Sequence, residues 1–148
     1  MAATLQEILL VPDTRPKVQA DCYTLIQQQV SDMSGISGTA VKLAYKTVTA
    51  FASGHIQAMI ETLLPRMAEQ LQPFWADFNN EGGSDFGDYL TKRGPEVADA
   101  LLIVTDERAA ASSRPPIIKA YKSVRGGAAK HVEAALPRLG GLVQKYAG

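Results

Sequence analysis

Two short sequence motifs occur twice in this chain in the same order, and this repetition constrains the fold more than any other feature. Residues 44–48 read AYKTV and residues 120–124 read AYKSV, an offset of 76 residues. Residues 61–67 read ETLLPRM and residues 133–139 read EAALPRL, an offset of 72 residues. Internal repeats form similar structural units that bury their apolar faces against one another. We therefore predict a tandem duplication.

Apolar side chains recur at the three- and four-residue spacing of an amphipathic helix along most of the chain. No segment shows a strand alternation of comparable strength. The clearest helical stripe consists of Ile56, Met59, Ile60, Leu63, Met67, Leu71, Phe74, Trp75 and Phe78. We expect each unit, at about residues 4–80 and 84–147, to contain a short helix followed by three longer ones. The predicted fold is a single all-α domain over residues 1–148, a helical bundle of two duplicated units.

Residues at helix ends and inside helices predict several local features. Thr4 begins a TLQE capping box, and Ser84 is expected to cap the short helix of the second unit. Pro65 and Pro137 fall inside the long helices, where each proline frees the carbonyl four residues earlier and favours a bend. Gly140–Gly141 lies in the second long helix and allows a neighbouring backbone to approach closely.

The offset between the two motifs falls from 76 to 72, so four residues were gained or lost between them. A gap inside the long helix would align His55 with His131 and suggest a bis-histidine metal or haem site. A gap at the helix junction keeps the apolar positions in phase and aligns Gln72 with Gln144. We favour the second alignment, because insertions are tolerated at joints. It makes the histidines unrelated, and we predict no metal site and no cofactor.

The formal net charge of zero hides two segments of opposite charge. Residues 1–107 hold 7 Lys or Arg against 14 Asp or Glu, whereas residues 108–148 hold 8 Lys or Arg and only Glu133. Such asymmetry is a clue to partners. The basic segment either packs beside the chain's own acidic stretch, Glu61–Glu107, or presents a surface to an anionic partner. We favour the first interpretation, because a run of charge usually marks a solvated face.

The sequence contains no phosphate-binding loop, dinucleotide fingerprint, nucleophile elbow or zinc-protease motif. We predict no catalytic residue, and the sequence favours a protein without enzymatic activity. Cys22 lies on the apolar stripe of its helix and is expected to act as a small apolar residue. The candidate contacts to an anionic partner are Lys42, Lys46, Lys119, Lys122, Arg125 and Lys130. The aromatic candidates, for packing between the units or for lining an apolar cavity, are Phe74, Trp75, Phe78, Phe86 and Tyr89.

Three segments carry a resemblance to a known family. They are the repeated AYK[ST]V motif, ALPRLGGLV at residues 135–143, and PFWADF at residues 73–78, which precedes an acidic linker. Together they resemble a family of small, uncharacterised, all-helical bacterial proteins. The resemblance implies no known activity and supplies no site residues.

Compartment and function follow from these features as expectations. The lone cysteine, the lack of a signal-peptide pattern and the lack of an apolar run long enough to span a membrane favour a cytoplasmic protein. We expect a non-enzymatic interaction or scaffold module whose partner is another protein or a second copy of itself. One alternative is a carrier that holds a lipid or cofactor between kinked helices. Another is binding of nucleic acid or an anionic membrane through residues 108–148.

Overall fold

A computed structural model of the protein describes residues 4–51 and 54–147. These residues form helices and contain no strand, so the all-α prediction is confirmed. In chain order the helices are α1 (Leu5–Leu9), α2 (Arg15–Asp32), α3 (Gly35–Phe51), α4 (His55–Asn80), α5 (Phe86–Lys92), α6 (Gly94–Ala111), α7 (Pro115–Arg125) and α8 (Ala128–Ala147). A short helix followed by three longer ones therefore occurs in each half, as the sequence predicts.

The two short helices begin at polar side chains that accept a hydrogen bond from the first turn. Thr4 caps α1 as predicted, because its hydroxyl accepts from the backbone N–H of Glu7 at 3.2 Å. The prediction for α5 is wrong by one residue, since Asp85 rather than Ser84 is the cap. The Asp85 carboxylate accepts from the backbone N–H of Asp88 at 3.0 Å. Asp and Ser cap helices about equally well, so the position of the first buried turn decides between them.

The long helices continue through their internal prolines. Pro65 lies inside α4 and Pro137 inside α8. A proline deprives the carbonyl four residues earlier of its helical partner. At Pro65 that carbonyl belongs to Glu61, and it accepts a hydrogen bond from Nη2 of Arg15 at 3.1 Å. The second helix of the chain thus satisfies a polar group that the proline leaves free.

The helices pack in a pattern that has a counterpart in each half. Helices α1 and α2 pack on α4, and α5 and α6 pack in the same way on α8. Across the halves, α2 contacts α8, α6 contacts α4, and α3 lies against α7. Each of these helix contacts within one half therefore has a counterpart in the other half. The origin of the units by duplication stays a prediction.

The core lies where these helices meet. Its buried side chains come from both halves: Leu5, Leu9, Val18, Leu64, Ala68, Leu71, Phe74, Trp75, Phe78, Phe86, Leu90, Val97, Leu101, Leu136 and Val143. In this core, the backbones of α5 and α8 approach each other more closely than a side chain between them would allow. A Cβ atom on Gly140 of α8 would lie 2.2 Å from the backbone of Gly87 in α5. The prediction that glycine in α8 permits a close backbone approach is therefore confirmed at Gly140.

Candidate functional site

An apolar cavity of about 220 Å³ lies between α2, α4 and α8. No polar atom is exposed on its wall. The lining residues are Leu9, Val18, Cys22, Leu25, Ile26, Met59, Ile60, Leu63, Leu64, Met67, Ala68, Leu71, Leu101, Leu139, Leu142 and Val143. All of them are spaced on the inward stripes of their helices, so the same periodicity that builds the core also lines the cavity.

The outer part of this cavity is formed by side chains that are only half-buried. These include Leu25 and Ile26 of α2 and Met59 and Leu63 of α4. Cys22 forms part of the wall. Burial and then the nearby negative charge of Asp21 raise the pKa of the Cys22 thiol to about 11, so the thiol is neutral at physiological pH. It acts as a small apolar residue, as the sequence predicts.

A second cavity, of about 440 Å³, lies where the N-terminal ends of α4 and α7 meet the C-terminal end of α6. Its lining residues are His55, Ala58, Met59, Thr62, Thr105, Arg108, Ala109, Ala111, Ser112, Ser113, Arg114, Ile117 and Tyr121. Two guanidinium groups, one imidazole and several hydroxyl groups therefore surround one space. Neither N-cap residue, Gly54 of α4 or Arg114 of α7, makes a side-chain hydrogen bond to its helix, and a helix N-terminus carries a partial positive charge.

The two arginines of this second cavity have no carboxylate partner in the described ranges. Among the described residues, neither Arg108 nor Arg114 forms an ion pair. Glu107, the residue before Arg108, instead pairs with Arg66, and Oε1 of Glu107 lies 3.1 Å from Nη2 of Arg66. Burial, together with the positive charges of Arg114 and Arg108, lowers the pKa of His55. The His55 Nε2 atom is buried and has no hydrogen-bond partner.

Tyr121 lines this cavity, and its hydroxyl is hydrogen-bonded to two neighbouring side chains. Its hydroxyl donates to the carboxylate of Asp106 and lies 2.9 Å from the hydroxyl of Thr105. Arg125 binds the same carboxylate with two hydrogen bonds, at 2.8 and 3.0 Å. The pKa of Asp106 is lowered, first by the hydrogen bond from Arg125 and then by that from Tyr121. These contacts hold the Tyr121 side chain in place, and the Asp106 carboxylate neutralises the charge of Arg125.

The remaining cations of the predicted anion surface are exposed. Lys42 and Lys46 lie on α3, Lys119 and Lys122 lie on the adjacent α7, and Lys130 lies on α8. None of these five forms an ion pair within the part of the chain that is described. The packing of α3 against α7 brings four of them onto one pair of helices, whereas Arg125 is paired with Asp106.

Other cations of the basic segment are paired within the chain, but with a different partner segment from the one expected. Arg138 binds Asp32, and Lys145 binds Asp21 at 2.8 Å. Both acids lie in α2, outside Glu61–Glu107. The helix α8 does pack on α5 and α6, within the expected acidic stretch, and Arg125 pairs there with Asp106. The ion pairs of Arg138 and Lys145 are formed with α2.

Four of the five aromatic side chains, Trp75, Phe78, Phe86 and Tyr89, contact one another across the junction between the halves. Phe86 of α5 lies 5.0 Å from Trp75 and 5.1 Å from Phe78, measured between ring centroids, and Phe78 lies 5.6 Å from Tyr89. Phe74 is covered by the guanidinium of Arg93 at 4.6 Å. None of the five rings lines either cavity described above. Packing between the units stays a prediction for these side chains, and the ring contacts favour it over a cavity-lining role.

Sequence reasoning did not identify His55, Arg108 and Arg114 as neighbours. They come from α4, the end of α6 and the residue before α7, and only the packing of three elements brings them together. The sequence contained one signal that could have singled out Arg108 and Arg114. No Asp or Glu stands three or four residues from Arg108 or Arg114, so neither arginine has a carboxylate within reach along its own helix.

Comparison with known proteins gives one match. A model of a protein family, described as a family of unknown function (DUF6918), matches residues 5–147. No curated protein and no solved structure matches the chain. Within residues 4–51 and 54–147, no helix is long and apolar enough to cross a membrane. In the same ranges, no three His, Cys, Asp or Glu side chains are grouped so that they could hold a metal ion.

Proposed function

The chain belongs to the DUF6918 family, whose function is unknown, and from its own side chains we propose that it is a non-enzymatic protein that binds a small apolar ligand in the cavity between α2, α4 and α8. The observation that carries this proposal is the wall of the cavity, which exposes no polar atom over 16 lining residues. At about 220 Å³ it exceeds the ~150 Å³ of an apolar cavity that stays dry and binds benzene.

Physical reasons support a ligand over an empty core. Atoms that line a void lose dispersion contacts on one side, so a ligand that fills the space stabilises the folded state. The half-buried side chains at the outer part of the cavity, Leu25, Ile26, Met59 and Leu63, leave a route by which a ligand enters. Methionine adapts its shape to different apolar groups more readily than branched residues do, and Met59 and Met67 both line the wall.

Octan-1-ol is a suitable probe of this proposal. A ligand that binds only the folded state at ten times its Kd stabilises it by roughly 1.4 kcal/mol, which corresponds to a rise in Tm of about 3–6 °C for a chain of this size. We expect this rise in differential scanning calorimetry. We also expect the reaction of Cys22 with Ellman's reagent to slow, because the thiol lies on the cavity wall.

Two tryptophan variants make the test specific. Leu63→Trp fills the cavity and is expected to abolish the rise in Tm, whereas Leu43→Trp, on the exposed face of α3, is expected to retain it. Circular dichroism of both variants checks that they fold, and Leu25→Trp replaces Leu63→Trp if the latter does not. An unchanged Tm together with an unchanged thiol reaction rate in the unsubstituted protein would contradict the proposal.

A second candidate function, self-association as an interaction module, is favoured by the exposed face of α3 and α7. Ile36 and Leu43 of α3 are 93% and 65% exposed, and a mainly apolar groove runs between α3 and α7. Lysines stand on both helices, as described above. A second copy of the chain carries the negative charge that would complement these lysines, because residues 1–107 hold 14 acidic against 7 basic side chains. We propose an acidic surface of a second copy as the occupant.

A further inference from the structure

The apolar cavity and the basic cavity lie on adjacent faces of α4. Met59 lines both of them. Leu63, one turn further along the helix, faces the apolar cavity, whereas Ala58 and Thr62 face the basic one. The flexible side chain of Met59 is therefore a wall that the two spaces share, and a methionine is easily displaced by a ligand.

The basic cavity has the composition of an oxyanion site. Arg108 and Arg114 present guanidinium groups, which bind carboxylate or phosphate oxygens in a two-pronged geometry. His55 adds an imidazole whose buried Nε2 atom has no hydrogen-bond partner among the described residues. The hydroxyls of Ser112 and Ser113 add donors that are neutral. No carboxylate lines this space, so an anion placed there meets no repelling charge on the wall.

We propose that the basic cavity receives the oxyanionic head group of the ligand whose apolar part occupies the neighbouring cavity, so that the ligand is an amphipathic anion. Its chemical class is a carboxylate or a phosphate monoester with a short apolar chain. The inference rests on the proposed apolar-ligand function and names the ligand class for it. The chain is then removed from water against apolar side chains. The head group contacts the exposed guanidinium groups of Arg108 and Arg114 beside His55.

The experiment compares probes that differ only in the head group. Isothermal titration calorimetry with octan-1-ol, octanoate, octyl phosphate and inorganic phosphate measures the four affinities on the full chain. A hydrogen-bonded ion pair at the head group is expected to make octanoate or octyl phosphate bind at least about tenfold more tightly than octan-1-ol. Inorganic phosphate, which lacks the chain, is expected to bind more weakly than octyl phosphate.

A pair of charge-matched variants locates the head group. Arg108→Gln with Arg114→Gln is expected to remove the tenfold advantage of the anions and to leave the affinity for octan-1-ol unchanged. Lys119→Gln with Lys122→Gln removes the same charge from exposed positions outside this cavity and is expected to leave all four affinities unchanged. Thermal unfolding of both double variants confirms that each is folded.

Each result decides between the inference and the function on which it rests. Equal affinities for octanoate, octyl phosphate and octan-1-ol overturn the head-group site while leaving the apolar-ligand proposal standing. The head-group site is also overturned if the Lys119/Lys122 variant loses the tighter binding of the anions as fully as the Arg108/Arg114 variant does. Binding of inorganic phosphate as tight as that of octyl phosphate shows an anion site unconnected to the apolar cavity, which also overturns the inference. Failure of all three octyl compounds to bind overturns the proposed function itself.

Discussion

Two adjacent glycines in α8 have opposite surroundings, and this makes Gly140 and Gly141 a matched pair for mutation. A Cβ atom on Gly140 would lie 2.2 Å from the backbone of Gly87, whereas a Cβ on Gly141 would meet no atom within 4 Å. Backbone atoms cannot rotate away as a side-chain end does, so Gly140→Ala must push α5 from α8. The sequence alone shows two glycines that permit an approach and cannot say which of them a neighbour uses.

The stability of the two alanine variants is expected to change in opposite directions. Gly140→Ala should lower the free energy of unfolding by about 1–3 kcal/mol, the typical cost of overpacking. Gly141→Ala should raise it by about 0.5–1 kcal/mol, because glycine weakens an exposed helix interior. Urea denaturation of both variants measures the two values. Equal effects would show that α5 and α8 are not in backbone contact.

At the scale of helices, each long helix in this fold supports the start of a short one. The Gln72 side chain of α4 accepts a hydrogen bond from the backbone N–H of Leu5 at 2.7 Å, at the start of α1. The Gln144 side chain of α8 accepts one from the backbone N–H of Phe86 at 2.8 Å, at the start of α5. The first N–H groups of a helix have no partner inside it. The repeat alignment pairs these two glutamines, and the fold supplies the shared role.

The exposed face of α3 leads to a prediction about assembly. Leu43→Glu is expected to weaken self-association, because it places a charge in the apolar groove beside α7. Sedimentation velocity over a series of salt concentrations measures the effect, and the association itself should fall as salt screens the opposed charges. Ile103→Glu, at an exposed apolar residue of α6, is the control. A monomer at every salt concentration would rule out the self-association candidate.

For the molecule as a whole, two carboxylates connect separate helices and make stability depend on pH. Hydrogen bonds from Lys145 and then Tyr146 of α8 lower the pKa of Asp21 in α2. Arg125 and then Tyr121 of α7 lower the pKa of Asp106 in α6. A carboxyl with a lowered folded-state pKa stabilises the fold above its unfolded pKa of about 3.9. That contribution is lost as the pH falls through the folded-state pKa.

We therefore expect Tm to fall as the pH is lowered from 7 to about 2, and the fall to be smaller in a variant that lacks both carboxylates. Asp21→Asn with Asp106→Asn should have a lower Tm than the unsubstituted protein at neutral pH and a flatter dependence on pH. Asp99→Asn, at an exposed position on α6, is the control and should keep the original slope. A double variant with an unchanged slope would mean that other groups govern the acid transition.

Most of the helical architecture follows from the sequence, because its causes are local. The apolar stripe of α4, the cap at Thr4 and the effect of Pro65 on the carbonyl of Glu61 depend on residues within a few positions of one another. The predicted cap of α5 is wrong by one residue, because Ser84 and Asp85 are adjacent and cap helices about equally well.

The tertiary structure decides which of these local features face one another. Arg125 belongs to the same basic segment as Arg108 and Arg114, yet it is neutralised by Asp106 while they line an open space. Whether a charge is paired, or a stripe of apolar residues closes completely, depends on distances between helices that are far apart in sequence. The sequence by itself determined the helices and their order, since helix formation is governed by neighbours along the chain. Only the packing of α4 and α8 on α2 and α6 decided where the two cavities lie and which side chains share them.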